Sequence, residues 1–259
     1  MGADGALAAR LQAQKPPFQM PWRHFELVHM GFQGGTAYWR IALPAPNGPP
    51  SIPANLSPQT VPAVFPSQVL RIENFLSPAV NRALYAYALN QERSFVPTQN
   101  SAGDDDYRRS HYLPSFPEYG EMMKKQVAAA VPTVLQRLEM PAWSVDYIEI
   151  QLTAHNDGNY YKIHNDNGSP DAASRELTYV YYFHREPKPF AGGELRVYDS
   201  RIENGFYVAA DSFQTIEPQN NAIVFFLSRY LHEVLPVRCP SQGFADSRFT
   251  LNGWIRKTN

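Results

Sequence analysis

The sequence of 259 residues predicts a mainly β fold with flanking helices, an α+β architecture. From residue 144 to the C-terminus, short apolar stretches, several with a period of two, are separated by clusters of Gly, Pro, Asn and Asp, as in strands joined by turns. Two helical segments precede these strands, and the absence of strand–helix alternation argues against Rossmann and TIM-barrel folds. Many short strands at this spacing indicate a sandwich or a barrel.

The first 66 residues are predicted to form an N-terminal extension. Residues 25–43 (FELVHMGFQGGTAYWRIAL) are rich in strand-forming residues, and Gly34 and Gly35 interrupt them, which predicts a hairpin or a pair of short strands. Residues 43–66 are dense in proline and are expected to be an extended connector without regular structure. The predicted division is therefore an extension (1–66) and a main domain (67–259).

Two helices open the main domain. Ser77 is a suitable N-cap with Pro78 at the first helical position, and apolar residues follow at helical spacing (Val80, Leu84, Tyr87). Residues 118–140 predict a second helix that is disturbed by Pro132. The polar, proline-broken segment between them, residues 103–117, is predicted to be a loop.

The predicted β core covers about residues 144–259. Its clearest strands are SVDYIEIQLT, LTYVYYF, ELRVY, AIVFFL and RFTLNGWI. The alternation of side chains along such strands decides which residues can share one face.

The composition excludes several classes of protein. The net charge is -1 and no basic clusters occur, so the sequence offers no electrostatic basis for binding nucleic acid or an anionic membrane. No signal peptide or apolar run of bilayer length is present. One cysteine, Cys239, excludes an intrachain disulfide framework and fits a reducing compartment, so we expect a cytoplasmic protein. The oligomeric state, including a homo-oligomer, stays open.

Four residues indicate a metal and carboxylate site. His164 and Asp166 would project from the same face of one strand, although two polar residues at a solvated strand end explain this pair equally well when it is taken alone. His232 directly follows an apolar strand, and two histidines with one carboxylate form the triad that holds non-haem Fe(II). Arg248 begins a further strand, where its guanidinium could pair with a carboxylate.

Several segments together resemble one family, the 2-oxoglutarate- and Fe(II)-dependent dioxygenases of the prolyl 4-hydroxylase type. The resemblance runs from about Val69 to the C-terminus, and it rests on YYKIHND, RELTYVYYF followed by PFAGGELRVY, HEVLPV and RFTLNGW. It implies a double-stranded β-helix core, which is jelly-roll or cupin-like, with the N-terminal helices packed on one sheet.

The resemblance also implies the roles of the site residues. The iron ligands would be His164, Asp166 and His232, and the metal centre would need no further catalytic side chain. The co-substrate 2-oxoglutarate would be held by four residues: Arg248 and Tyr182 at its distal carboxylate, with Thr178 and His155 in the same pocket. An aspartate as the second ligand implies hydroxylation and not halogenation. Ascorbate is expected as a reductant.

The implied reaction is hydroxylation of an unactivated C–H bond of a prolyl residue in a peptide or protein, with release of succinate and CO2. A free amino acid or another small molecule is the alternative substrate, and a non-catalytic module that binds a metal or carboxylate is the alternative class. Gly192 and Gly193 are expected to serve a hairpin backbone.

Substrate contacts are expected from the loop between the helices and from Tyr161, which is alternatively a packed residue beneath the metal. Arg108 and Arg109 would anchor an anionic group, and Tyr107 or Tyr112 would cover a ring. A solvated charged loop is the alternative interpretation of that segment.

Overall fold

The computed structural model describes residues 64–98, 107–203 and 206–258, together with the backbone of three strands nearer the N-terminus. The helices are α1 (Pro78–Asn90) and α2 (Pro117–Arg137), and short 3-10 turns occupy Glu92–Ser94, Pro170–Ala172 and Phe244–Asp246. The strands up to the second helix are β1 (Phe18–Gln19), β2 (Glu26–Gln33), β3 (Thr36–Ala42), β4 (Val64–Phe65), β5 (Val69–Ile72), β6 (Val96–Pro97), β7 (Arg108–Arg109) and β8 (His111–Leu113). Those that follow it are β9 (Val145–Ile148), β10 (Gln151–His155), β11 (Tyr160–His164), β12 (Arg175–Phe183), β13 (Ala191–Gly192), β14 (Leu195–Glu203), β15 (Phe206–Ile216), β16 (Ala222–Leu227), β17 (His232–Val234), β18 (Val237–Arg238) and β19 (Arg248–Lys257).

The chain divides into two compact units. The smaller unit contains β1 to β4 and Ser200–Ala210. In it β2 and β3 form an antiparallel hairpin, as predicted, and β4 pairs with Ser200 and Arg201. Residues 43–63 of the predicted connector lie outside the described residues, and the predicted boundary after residue 66 stays a prediction.

The larger unit, Pro66–Asp199 with Asp211–Thr258, is built on two antiparallel sheets. The major sheet has the order β5-β16-β12-β19-β10-β8-β6, with β9 also paired to β19. The other sheet contains β14, β17, β11 and β7 as successive neighbours. Neighbours that are distant in sequence, such as β12 between β16 and β19, are typical of a jelly-roll, which is the double-stranded β-helix that the resemblance implies.

Both helices pack on the major sheet, as predicted. Leu84 of α1 and Met123 of α2 are fully buried in the same apolar core as Tyr181 and Phe249. The Asn81 side chain also donates a hydrogen bond of 2.7 Å to the Tyr181 hydroxyl. The helices therefore cover the face of the sheet that points away from the candidate site.

The helix ends follow the sequence signals, but the second helix differs from the prediction. Ser77 caps α1, because its Oγ accepts the Val80 N–H at 3.3 Å. α2 runs through Pro132 to Arg137, although a proline lacks the donor for one helical hydrogen bond. Val131 and Val134 flank this position and are buried, so tertiary packing holds the helix through it.

The segment predicted as a loop before the second helix contains two short strands instead. β7 pairs with β11, and β8 lies between β10 and β6 in the major sheet. The predicted strand from Ser144 is divided into β9 and β10, and β15 was not predicted. These short strands depend on ladder partners far away in sequence, which local composition does not reveal. Within the described residues, neither helix is long and apolar enough to cross a bilayer.

Candidate metal centre

The two histidines are brought together by strand pairing. His164 ends β11 and His232 begins β17, and these residues lie opposite each other in the ladder. Asp166 lies just beyond the strand and not on it, which corrects the prediction that one extended strand carries both residues. Its backbone N–H donates to the Ser228 carbonyl at 2.9 Å. This bond turns the Asp166 carboxylate back toward the histidines.

The three side chains converge on one point. The Asp166 carboxylate lies 3.6 Å from Nε2 of His164 and 3.3 Å from Nε2 of His232, and all three candidate ligand atoms lie within 4.8 Å of one another. The two Nδ1 atoms contact the carbonyl oxygens of Lys162 (2.8 Å) and Tyr230 (2.9 Å). Each Nδ1 therefore carries a proton, and both Nε2 atoms face the carboxylate.

The protonation states also suit a divalent metal. Burial lowers the pKa of His164 to about 3, with a smaller contribution from His232, so the ring is neutral. Burial raises the pKa of Asp166, but the two histidines and a 2.6 Å hydrogen bond from Thr178 Oγ1 outweigh it, and the carboxyl is ionised. Thr178 Oγ1 in turn lies 3.0 Å from Ser228 Oγ. Two imidazoles and one carboxylate are the donor set of non-haem Fe(II) sites.

An ion pair supports the metal centre from behind. Arg175 donates to the Asp166 carbonyl at 3.1 Å, and its Nε and a terminal nitrogen bind the two Glu149 oxygens at 2.7 and 2.5 Å. The guanidinium carbon of Arg175 also lies 3.7 Å from the centroid of the Trp254 ring system. Arg256 donates to Glu149 as well, at 2.7 Å. The two arginines outweigh the effect of burial and lower the pKa of Glu149, so the pair is charged.

The triad lies in a cavity that extends to Arg248. Its lining consists of Arg108, His155, Tyr161, His164, Asp166, Thr178, Val180, Leu195, His232, Val234, Arg248, Thr250, Asn252 and Trp254. The Arg248 side chain is buried, and its Nε donates to the Gly193 carbonyl at 2.8 Å. Gly193 has a φ of +70°, and a Cβ there would lie 2.7 Å from Arg248 Cδ. Gly193 thus makes room for the arginine, but Gly192 pairs with Val237 of β18, so the predicted hairpin is not formed at these glycines.

The Arg248 end of the cavity contains polar groups that lack partners. Both ring nitrogens of His155 and the Tyr182 hydroxyl are buried, and no described residue forms a hydrogen bond of normal geometry with them. Tyr182 is not among the lining residues, and its ring centroid lies 5.0 Å from the Arg248 guanidinium carbon. Burial lowers the pKa of His155 well below its usual value, and Arg248 lowers it further. A carboxylate ligand would supply the missing partner of this cationic, hydrogen-bonding end.

Only some of the predicted substrate residues line the cavity. Tyr161 stacks on His164 with ring centroids 3.6 Å apart, and Arg108 lies beside it with its guanidinium carbon 4.7 Å from the Tyr161 centroid. Both residues line the cavity. Arg109 is exposed, with its guanidinium carbon 5.7 Å from the Tyr160 ring centroid, and Tyr112 lies in β8, so neither is among the lining residues.

The sequence reasoning missed some lining residues that strand alternation could have found. Starting from Arg248, every second residue of β19 reaches the cavity, which gives Thr250, Asn252 and Trp254. The Trp254 indole N–H helps to lower the pKa of Asp166, although it makes no hydrogen bond of normal geometry with a described residue.

The fold and the triad define a class, the non-haem iron oxygenases with a carboxylate-binding cavity. Comparison with known proteins agrees, because residues 150–256 match the family model of the 2OG-Fe(II) oxygenase superfamily. An uncharacterized PKHD-type hydroxylase of Synechocystis sp. is 45% identical over 204 residues, covering 78% of this chain and 67% of the relative. The chain belongs to the 2OG-Fe(II) oxygenase superfamily and is a 2-oxoglutarate-dependent dioxygenase of the hydroxylase type. Fe(II) and 2-oxoglutarate are the cofactor and co-substrate that this family uses.

Solved structures share the fold. A Pseudomonas putida prolyl-4-hydroxylase aligns with a TM-score of 0.52 and 21% identity over 74% of this chain and 94% of its own. A Trichoplax adhaerens prolyl hydroxylase, solved with a fragment of the hypoxia inducible factor oxygen degradation domain, gives 0.51 and 19% over 73% and 83%. The epimerase SnoN from nogalamycin biosynthesis, which depends on alpha-ketoglutarate, gives 0.52 and 11% over 74% and 78%. At these identities the alignments show the fold alone, and the fold hosts more than one reaction.

Proposed function

We propose that this enzyme hydroxylates a C–H bond of a prolyl residue in a peptide or protein, with conversion of 2-oxoglutarate to succinate and CO2. The observation that carries the proposal is the joint presence, in one cavity, of the His164, Asp166 and His232 triad and a buried cationic end at Arg248. The prolyl preference is supported by the resemblance and by the two structural neighbours that are prolyl hydroxylases.

Each residue of the site has a separate role in this proposal. The triad would hold Fe(II), which supplies the chemistry of O2 activation when it is bound, and 2-oxoglutarate is the co-substrate that is consumed. Arg248 and Tyr182 would bind the distal carboxylate, and His155 would complete its hydrogen bonds. Thr178 would act mainly by orienting Asp166, since its hydroxyl is already donated to that carboxylate. Tyr161, stacked on His164, would form one wall of the substrate site.

A free amino acid or other small molecule is the second candidate substrate. The likeness to SnoN favours keeping it, because that protein of the same fold is named for the biosynthesis of a small molecule. A non-catalytic metal module is disfavoured, since such a module would not need the unpartnered carboxylate site at Arg248. The proposal includes ascorbate as a reductant and a cytoplasmic location, and it leaves a homo-oligomer open.

The experiment measures succinate release by the full chain with Fe(II), ascorbate and 2-oxoglutarate, with and without proline-containing peptides. His164→Ala should abolish release, because the metal loses one of three protein ligands, whereas His111→Ala should leave it unchanged, since His111 is exposed. Mass spectrometry of the peptides should show the gain of one oxygen on proline. If His164→Ala still releases succinate, the assigned centre is refuted. Oxidation of another residue or of a free amino acid would refute the prolyl preference.

A further inference from the structure

Three arginines approach the metal cavity, and they differ in how their charge is balanced. Arg175 is neutralised by the two oxygens of Glu149. Arg248 lies at the end of the cavity where 2-oxoglutarate is proposed to bind. Arg108 is the third, and among the described residues no carboxylate forms an ion pair with it, although it is largely withdrawn from solvent.

The position of Arg108 is fixed by its neighbours. Arg108 lies in β7 opposite Tyr161 of β11, and its Nε donates to Ser110 Oγ at 3.0 Å. Its guanidinium carbon lies 4.7 Å from the ring centroid of Tyr161, and that ring stacks on the iron ligand His164. The Nε bond to Ser110 thus holds the guanidinium beside the Tyr161 ring, with no carboxylate partner among the described residues.

The charges that line the cavity do not balance. Among the described lining residues, Asp166 is the single carboxylate, and Arg108 and Arg248 are the two arginines. A divalent metal and the 2-oxoglutarate dianion cancel each other, so one positive charge is left over among the described lining groups. Burying an unpaired cation is unfavourable, and a bound anion relieves that penalty.

We propose that the substrate carries a carboxylate close to the C–H bond that is oxidised, and that Arg108 binds this carboxylate. This inference rests on the proposed function and narrows its substrate class to prolyl compounds with an adjacent negative charge. The charge can be the α-carboxylate of a free or C-terminal proline, or the side chain of an acidic residue beside a proline. Both sources present the same planar group to the guanidinium fork.

Two matched pairs of probes distinguish the two possible origins of the substrate carboxylate. The first is N-acetyl-L-proline and N-acetyl-L-prolinamide, and the second is N-acetyl-Asp-Pro-amide and N-acetyl-Asn-Pro-amide. Affinities are measured by calorimetric titration of full-length protein loaded with Mn(II) and 2-oxoglutarate in the absence of O2, so that binding is read without turnover. In at least one pair the anionic member should bind about tenfold more tightly or better, as expected for a charge-assisted bond.

The variants assign this preference to Arg108. Arg108→Gln should remove the preference and Arg108→Lys should keep part of it, whereas Arg109→Gln should keep all of it, because Arg109 is exposed and outside the cavity lining. The ligand-free Arg108→Gln protein should unfold at a midpoint no lower than the native protein, since an unpaired buried cation is removed.

Four results would overturn the inference: equal affinities within both pairs, a preference that survives Arg108→Gln, no binding of any probe, or a clear loss of thermal stability in that variant. The last result would make Arg108 a structural residue. If the native protein still releases succinate in a manner that depends on His164, the proposed function stands and only the substrate charge is wrong. Absence of that release would instead refute the proposed function itself.

Discussion

The two ends of the cavity differ in how completely the protein satisfies its own polar groups. At the metal end, the histidine Nδ1 atoms contact carbonyl oxygens and the Asp166 carboxylate accepts from Thr178. At the Arg248 end, the ring nitrogens of His155 and the hydroxyl of Tyr182 have no partner among the described residues.

This difference distinguishes a site that is built in advance from a site that a ligand completes. The metal end presents three aligned ligand atoms because the remaining hydrogen-bonding atoms around them are already occupied, which fixes ring orientation and tautomer. Polar groups that stay unpaired when buried are unfavourable, so the Arg248 end gains more than the metal end when a carboxylate arrives. Removing parts of each end should therefore affect different ligands.

The largest effect is expected at the Arg248 end of the cavity. Arg248→Met should raise the Kd for 2-oxoglutarate by about 100-fold, because charge-assisted hydrogen bonds to the carboxylate are lost in a buried setting. Metal content should stay normal, as Arg248 contacts no member of the triad directly. Titration calorimetry measures the first quantity and elemental analysis the second.

Arg238→Met is the matched control, since Arg238 is exposed and should tolerate the change. Loss of metal in Arg248→Met would show that the two ends are not independent and would contradict the comparison.

A smaller effect is expected at the metal end. Thr178→Val keeps the shape of the side chain but removes its 2.6 Å hydrogen bond to Asp166. Metal affinity should fall roughly 10-fold, at the lower end of the range for a residue that orients a ligand. Competition with a chromogenic chelator measures it.

Thr153→Val is the control, because Thr153 is also buried in the major sheet but bonds to Thr250 and Asn252. Equal loss of metal affinity in both variants would mean that general destabilisation, and not the orientation of Asp166, is responsible.

The sequence was sufficient for the metal end but not for the whole cavity. His164, Asp166 and His232 were identified from ligand chemistry and from their order along the chain, and the structure brings them together. The supporting bond to Ser228 was not predictable, because Ser228 reaches Asp166 only through the pairing of distant segments, whereas the Lys162 carbonyl lies two residues before His164.

Local composition also misled at one point. The polar segment around Arg108 was predicted to be a loop, yet β7 adds to β11 and places this side chain in the cavity. Partners that are more than 50 residues away decide such an edge strand, and no local signal records them. In contrast, Thr250, Asn252 and Trp254 follow Arg248 at every second position, so alternation alone could have added them.

The ion pair behind the metal end should matter mainly for stability. Glu149→Gln removes the charge that Arg175 and Arg256 share, in a position where about a fifth of the Glu149 side chain is exposed. Chemical denaturation should show a loss of about 1–3 kcal/mol in the free energy of unfolding, less than for a fully buried pair.

Glu217→Gln, which breaks the exposed pair with Lys188, should cost no more than about 0.5 kcal/mol. If the two variants lose equal stability, Glu149 has no special role behind the metal centre.

The last prediction concerns pH and the unpaired imidazole of the Arg248 end. Burial and Arg248 hold the pKa of His155 well below its usual value of about 6.5, so the folded protein keeps this ring neutral while the unfolded chain takes up a proton. The contribution of His155 to stability is therefore complete above about pH 6.5. It falls as the pH drops below that value, by up to about 1.4 kcal/mol per pH unit for one such group.

In the metal-free protein, His155→Gln should flatten the dependence of the urea midpoint on pH between about pH 7 and pH 5. An unaltered slope in His155→Gln would mean that the ring finds a partner in solution, and the contrast between a finished and an unfinished end would then be lost.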